Sequence, residues 1–127
     1  MSNGYLNDSF RAAESIGANL VVAVNATGEN QCQLADTSTS MPLGVIQDAV
    51  STNGAANVVI FGVTRAQAGA SVSSGAQLTW QTATGKVIEV TNNTTTAIDR
   101  VIGIAIQSGS TNSTIKILVN PSYFDNA

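Results

Sequence analysis

Residues 43–60, LGVIQDAVSTNGAANVVI, return in altered form at residues 102–119 as IGIAIQSGSTNSTIKILV. The two stretches align without a gap at a constant offset of 59 residues, and both carry Ser-Thr-Asn at the same place. Short apolar runs on either side of a polar turn are typical of a β-hairpin. The sequence therefore predicts two similar hairpins. Chance likeness between two unrelated hairpins is the alternative.

The rest of the chain has the same character, because short apolar runs alternate with clusters of Gly, Asn, Ser and Thr. About eight short strands in 127 residues indicate an all-β fold, a small β-barrel, tulip-like or sandwich domain. We expect this domain at residues 19–120, after an N-terminal arm or short helix at 1–18 and before a C-terminal tail at 121–127. The strands are expected near residues 19–25, 31–35, 43–47, 57–66, 77–81, 86–90, 100–107 and 114–120.

A helical spacing occurs near the N-terminus. Leu6, Phe10 and Ala13 recur at i, i+4 and i+7, and Asn7 or Asp8 provides a capping residue. This pattern predicts a short helix over residues 8–15.

The first strand of the second hairpin alternates large and small side chains. Ile102, Ile104 and Ile106 share one face, and Gly103 and Ala105 share the other. We expect the branched face to be packed and the small face to be approached closely by a neighbouring strand.

Composition disfavours several classes of partner. The chain has five Lys or Arg and eight Asp or Glu, a net charge of −3, and no basic run, so neither nucleic acid nor an anionic membrane is an expected partner. The apolar runs fall far short of the ~20 residues that span a bilayer. The start of the chain lacks the pattern of a signal peptide, which predicts synthesis in a reducing cytoplasm. Cys32, the single cysteine, is expected to be a buried structural thiol.

Catalytic and metal-binding patterns are not found in the sequence. It contains no His, and its carboxylates are scattered singly, mostly beside turns. We therefore predict that the protein is not an enzyme and has no catalytic residue, cofactor or metal. A hydrolase using Ser or Asp is the enzymatic alternative, and it would need a convergent pocket.

The order of several segments resembles that of a known family. The segments are MPLGVIQ at 41–47, VVIFGV at 58–63, GAQLT at 75–79 with GKV at 85–87, and RVIGIA at 100–105 leading to IKILVN at 115–120. In order and spacing, over residues 16–121, they resemble the bacteriophage capsid decoration, or cement, proteins.

The resemblance implies a small β-barrel that forms a homotrimer on the outer face of an icosahedral head. It also implies the major capsid protein as partner, the virion as location and stabilisation of the capsid as function. Such a protein needs no reacting group, since surfaces complementary to its neighbours suffice. A carbohydrate- or receptor-binding module on the virion surface is the alternative function.

Candidate interface residues are apolar side chains that a small core does not need. Val59, Phe61 and Val63 form one face of a strand whose other face, with Val58 and Ile60, is also apolar. One face is expected to fill the core and the other an interface, and burial of both within one chain is the alternative.

Aromatic and aliphatic side chains near the termini form a second candidate set, since a terminal segment usually frays unless something holds it. Packing on the parent barrel is the alternative to docking on another chain. Trp80 is expected in the core rather than on a sugar-binding surface. The terminal candidates are Tyr5, Leu6, Phe10, Tyr123 and Phe124.

Overall fold

A computed structural model describes the backbone of residues 5–25, 27–36, 41–90 and 98–125, and the side chains within residues 8–25, 27–36, 41–90 and 101–120. These residues form nine β-strands and no helix, which confirms the all-β prediction. None of the described segments is a helix long and apolar enough to cross a membrane. The strands are β1 Tyr5–Ala12, β2 Val21–Val24, β3 Gln31–Leu34, β4 Pro42–Ile46, β5 Ala55–Gln67, β6 Gln77–Trp80, β7 Val87–Glu89, β8 Ile98–Ala105 and β9 Thr114–Asp125.

The predicted helix over residues 8–15 is wrong, because most of this segment belongs to strand β1. β1 pairs antiparallel with β5 along most of its length and parallel with β3 at its end. Phe10 and Ala12, two residues apart, both pack into one apolar cluster, as the two-residue period of a strand requires. Long-range pairing thus overrides the weak local helical spacing, and the segment is part of the barrel wall.

Five strands close into a ring, in the order β1, β3, β2, β4, β5 and back to β1. We call this arrangement ring one. Its interior is filled by a single apolar cluster that includes Ala12, Val22, Cys32, Ile46 and Val58.

The remaining strands lie outside ring one and form a second ring with the later part of β5. β5 pairs with β9, β9 with β8, β8 with β6, and β6 with β7. An isolated parallel bridge between Ala68 and Val87 joins β7 back to the end of β5. We call this arrangement ring two, and β5 is shared by both rings.

The two rings are copies of one another in register as well as in strand order. The bridges Ala12–Cys32 and Ile16–Val50 of ring one correspond to Ala68–Val87 and Val72–Gly109 of ring two. The backbone amide of Asn53 donates a hydrogen bond to the Ala12 carbonyl at 2.7 Å. It corresponds to the hydrogen bond from the backbone amide of Asn112 to the Ala68 carbonyl, also 2.7 Å. The repeat seen between residues 43–60 and 102–119 therefore extends to the strands before it, where the sequences differ.

Candidate interaction surfaces

The outer face of ring one is buried where β2, β4 and β5 form it. Val21, Ala23, Val45 and Val59 alternate with the interior residues of their strands, so they point out of ring one. All four are fully buried and belong to the same apolar cluster as the interior of ring two. Ring two therefore rests with its open end on the wall of ring one, and the two share one core.

Backbone hydrogen bonds also join the rings at this contact, which we call the inter-ring joint. The Val21 amide donates to the Gly85 carbonyl at 2.8 Å, and the Ala83 amide donates to the Asp36 carbonyl at 2.9 Å. The relative placement of the rings is thus set by directional contacts in addition to apolar packing.

The ring-two residues that are buried at the inter-ring joint have counterparts in ring one that are exposed or half-buried. Trp80, at the open end of ring two, is 4% exposed, whereas Val24 at the same position of ring one is 46% exposed. Ile102 and Val119 are fully buried, but the corresponding Leu43 and Ile60 are only half-buried. We call the group Val24, Leu43 and Ile60, with the neighbouring Met41, the rim of ring one.

The outer face of ring two is likewise uncovered. Val63, Leu118 and Ile104 lie side by side on β5, β9 and β8, because Leu118 is the register partner of both other residues. Val63 is 42% exposed, Ile104 is 40% exposed and Leu118 is half-buried. We call these three residues, with the exposed Gln77 beside Ile104, the outer face of ring two.

This finding corrects the expectation for the branched face of β8. Ile102 is buried, but Ile104 and Ile106 are exposed. The pairing of β8 with β9 shifts register at Ile102, so the alternation does not run evenly through it. The expected close approach to the small face is correct, because a Cβ placed on Gly103 would overlap the Leu118 carbonyl.

The predicted interface residues of β5 separate into two groups. Val59 is fully buried at the inter-ring joint, so it is not accessible to another chain. Phe61 and Val63 are 51% and 42% exposed. The pairing of β1 with β5 shifts register between Val59 and Phe61, so these two residues do not share the face of Val59 as the alternation predicts. Val58 is buried in ring one and Ile60 packs against the same cluster, as expected for a core-facing set.

Of the terminal candidates, only Phe10 has a described side chain. Phe10 is half-buried and packs against the interior of ring one, which is the alternative of packing on the parent barrel. Tyr5 and Leu6 lie in β1, and Tyr123 and Phe124 lie in β9, but their side chains fall outside the described part of the chain.

Trp80 and Cys32 lie where the sequence predicts them. Trp80 belongs to the shared core, so its ring is not available to stack on a sugar. Cys32 is a free, fully buried thiol in β3. Burial raises the pKa of this thiol, and the nearby Glu14 carboxylate raises the pKa further, against a backbone hydrogen bond that lowers it. The net shift favours the protonated thiol over the nucleophilic thiolate.

Two open grooves lie on the described surface. One, of about 370 Å³, includes Ile16 and Val50 in its lining, and another, of about 400 Å³, includes Asp48 and Arg65. Within the described residues, no three Asp, Glu or Cys side chains come together as a metal site would require.

No protein family model matches the chain, and no curated protein matches it. Among solved structures, the chain is similar to the N base of the head fiber gp8.5 of bacteriophage phi29, with a TM-score of 0.65. The similarity covers 91% of this chain and 93% of that one, at 16% sequence identity. At this identity the comparison establishes a shared fold that extends over nearly the whole of both chains.

Proposed function

We propose that this protein is a structural component of a phage virion that binds the outer surface of an icosahedral head and stabilises it. The observation that carries the proposal is the fold shared with a phage head fiber base over 91% of the chain. The order of segments that resembles capsid decoration proteins supports the same function from sequence. The partner we propose is the major capsid protein.

We further propose that three copies act together. Each copy then needs only a modest contact with the shell, because the second and third contacts form at a high effective concentration. A ligand that binds only the assembled shell stabilises it by mass action, with no chemical step required.

Phe61 is our candidate for contact with the capsid. It is the most exposed large apolar side chain among the described residues, at 51%. Aromatic side chains contribute strongly at protein interfaces when a partner desolvates them.

The direct test is to mix the purified protein with undecorated mature heads of the phage that encodes it and to pellet the heads. We expect co-sedimentation at micromolar concentration, and binding that weakens at least about tenfold in Phe61→Ser. Ile106→Ser removes a similarly exposed side chain, 44%, and serves as the control. If the wild-type protein stays in the supernatant, the proposed function is wrong; if both variants bind equally well, only the assignment of Phe61 is wrong.

A further inference from the structure

Two exposed surfaces in the described part of the chain, the rim of ring one and the outer face of ring two, are the two halves of a contact that the molecule already makes once. Inside the chain, the open end of ring two rests on the outer face of ring one. The corresponding end of ring one and the corresponding face of ring two are exposed.

We infer that a second copy of this chain places the rim of its ring one on the outer face of ring two, repeating between copies the inter-ring joint. This inference deepens the assembly in the proposed function by naming its interface, and it holds whether or not the partner is a capsid. The chain itself shows what covers such a face, because the open end of ring two covers the outer face of ring one. A second copy offers the equivalent end of ring one to the outer face of ring two.

Side-chain sizes at the two joints support the match. Inside the chain, the bulky Trp80 of the end is combined with the smaller Val45 and Val59 of the face. At the exposed surfaces the arrangement is reversed, since the smaller Val24 of the rim would meet the larger Ile104 and Leu118. The two changes in size therefore partly offset one another, and apolar packing tolerates such compensated exchanges better than a change on one side alone.

The polarity of the exposed face also suits a joint between separate chains. Gln77 occupies the position of the fully buried Val21, and Thr79 that of Ala23. A face that must remain in water before assembly carries more polar surface than one buried during folding.

The inferred contact is heterologous, because it joins the rim of one copy to a different surface of the next. Every added copy leaves one rim and one outer face free, so further copies can bind. The assembly closes into a ring if the rotation between neighbouring copies allows it, and otherwise grows as a filament. A ring of three copies gives the trimer of the proposed function.

Two variants block the two surfaces separately. Ile104→Glu places a charge at the centre of the outer face of ring two, and Val24→Glu places one on the rim of ring one, and an unpaired charge is costly to bury. Both residues are at least 40% exposed, so we expect both variants to fold with melting curves like the wild type. Thr111→Glu adds the same charge at the exposed β8–β9 turn, which belongs neither to the rim of ring one nor to the outer face of ring two, and is the control.

Sedimentation velocity without heads tests the inference. We expect the wild type and Thr111→Glu to self-associate, and each blocking variant alone to associate at least about tenfold more weakly. The decisive experiment mixes the two blocking variants. The Ile104→Glu protein keeps an intact rim and the Val24→Glu protein keeps an intact outer face, so we expect one copy of each to form a heterodimer. Association should stop at two copies, because the other rim and the other face are blocked.

Three results would overturn the inference: a monomeric wild type at micromolar concentration, self-association of either blocking variant at wild-type strength, or a mixture that forms no heterodimer. Self-association by Val24→Glu with none by Ile104→Glu would indicate a symmetric face-to-face dimer instead. Co-sedimentation with heads is scored separately, so a protein that assembles in this way but does not bind heads contradicts the proposed function alone.

Discussion

At the scale of single residues, Gly44 and Gly103 explain why the two hairpins keep glycine at the same place. A Cβ on Gly44 would overlap the carbonyl oxygen of Val59, and one on Gly103 would overlap the carbonyl oxygen of Leu118. The obstacle is backbone in both repeats, so it cannot be relieved by turning a side chain. The close approach of the two strands of each hairpin therefore depends on the missing Cβ.

We expect Gly44→Ala and Gly103→Ala each to lower the free energy of unfolding by about 1–3 kcal/mol, the usual cost of overpacking. Urea denaturation followed by far-ultraviolet circular dichroism measures the change. Gly17→Ala is the matched control, because its Cβ would meet Leu20 Cδ1 at an ordinary 3.5 Å. Equal stability of all three variants would contradict the backbone overlap.

At the scale of elements, the β4–β5 and β8–β9 turns repeat one backbone conformation. Asn53 and Asn112 have positive φ angles of 70° and 69°. Asn tolerates this left-handed region better than residues with other side chains, and Gly enters it without a Cβ penalty. The backbone amide of each Asn also donates a hydrogen bond, from Asn53 to the Ala12 carbonyl in ring one and from Asn112 to the Ala68 carbonyl in ring two. The turn thus holds the hairpin and ties it to the wall of the ring.

Asn112→Ala should therefore destabilise the protein by about 1 kcal/mol, whereas Asn112→Gly should stay close to the wild type. Thermal unfolding of the two variants side by side separates a backbone effect from loss of the Asn side chain. A Gly variant as unstable as the Ala variant would show that the side chain, including its contact with Lys86, is responsible.

At the scale of the whole molecule, two copies of one ring occupy different environments. Val59 and Leu118 hold equivalent positions, but Val59 is fully buried at the inter-ring joint and Leu118 lies on the exposed outer face. The same position thus stabilises the monomer in one repeat and is available for assembly in the other.

Truncation of Val59 should mainly lower stability, and truncation of Leu118 should mainly weaken self-association. Val59→Ala should cost about 2 kcal/mol of unfolding free energy through the cavity it leaves, and Leu118→Ala should cost less than about 1 kcal/mol. Self-association should weaken only in Leu118→Ala. Calorimetry and sedimentation velocity on each variant check both statements, and weaker assembly in a stably folded Val59→Ala would contradict them.

Much of the fold follows from the sequence alone. Alternating apolar residues and Gly- and Asn-containing turns determine the strands of both hairpins, and the offset of 59 residues reveals their kinship. Burial of Cys32 and Trp80 is also predictable, because an isolated thiol and a single Trp in a polar chain favour the core. These features depend on local backbone preference and on the pattern of apolar residues, both of which are properties of short segments.

Tertiary structure alone decided three matters. The apolar spacing near β1 is typical of a helix, but the pairing of this segment with β5 makes it a strand. The second ring extends through segments whose sequences no longer resemble the first, since backbone hydrogen bonds preserve register without preserving side chains. Val45 and Ile104 are equivalent in sequence, yet one is buried and the other exposed, because burial depends on which ring lies against which face. That contact forms between residues distant along the chain, and no local pattern encodes it.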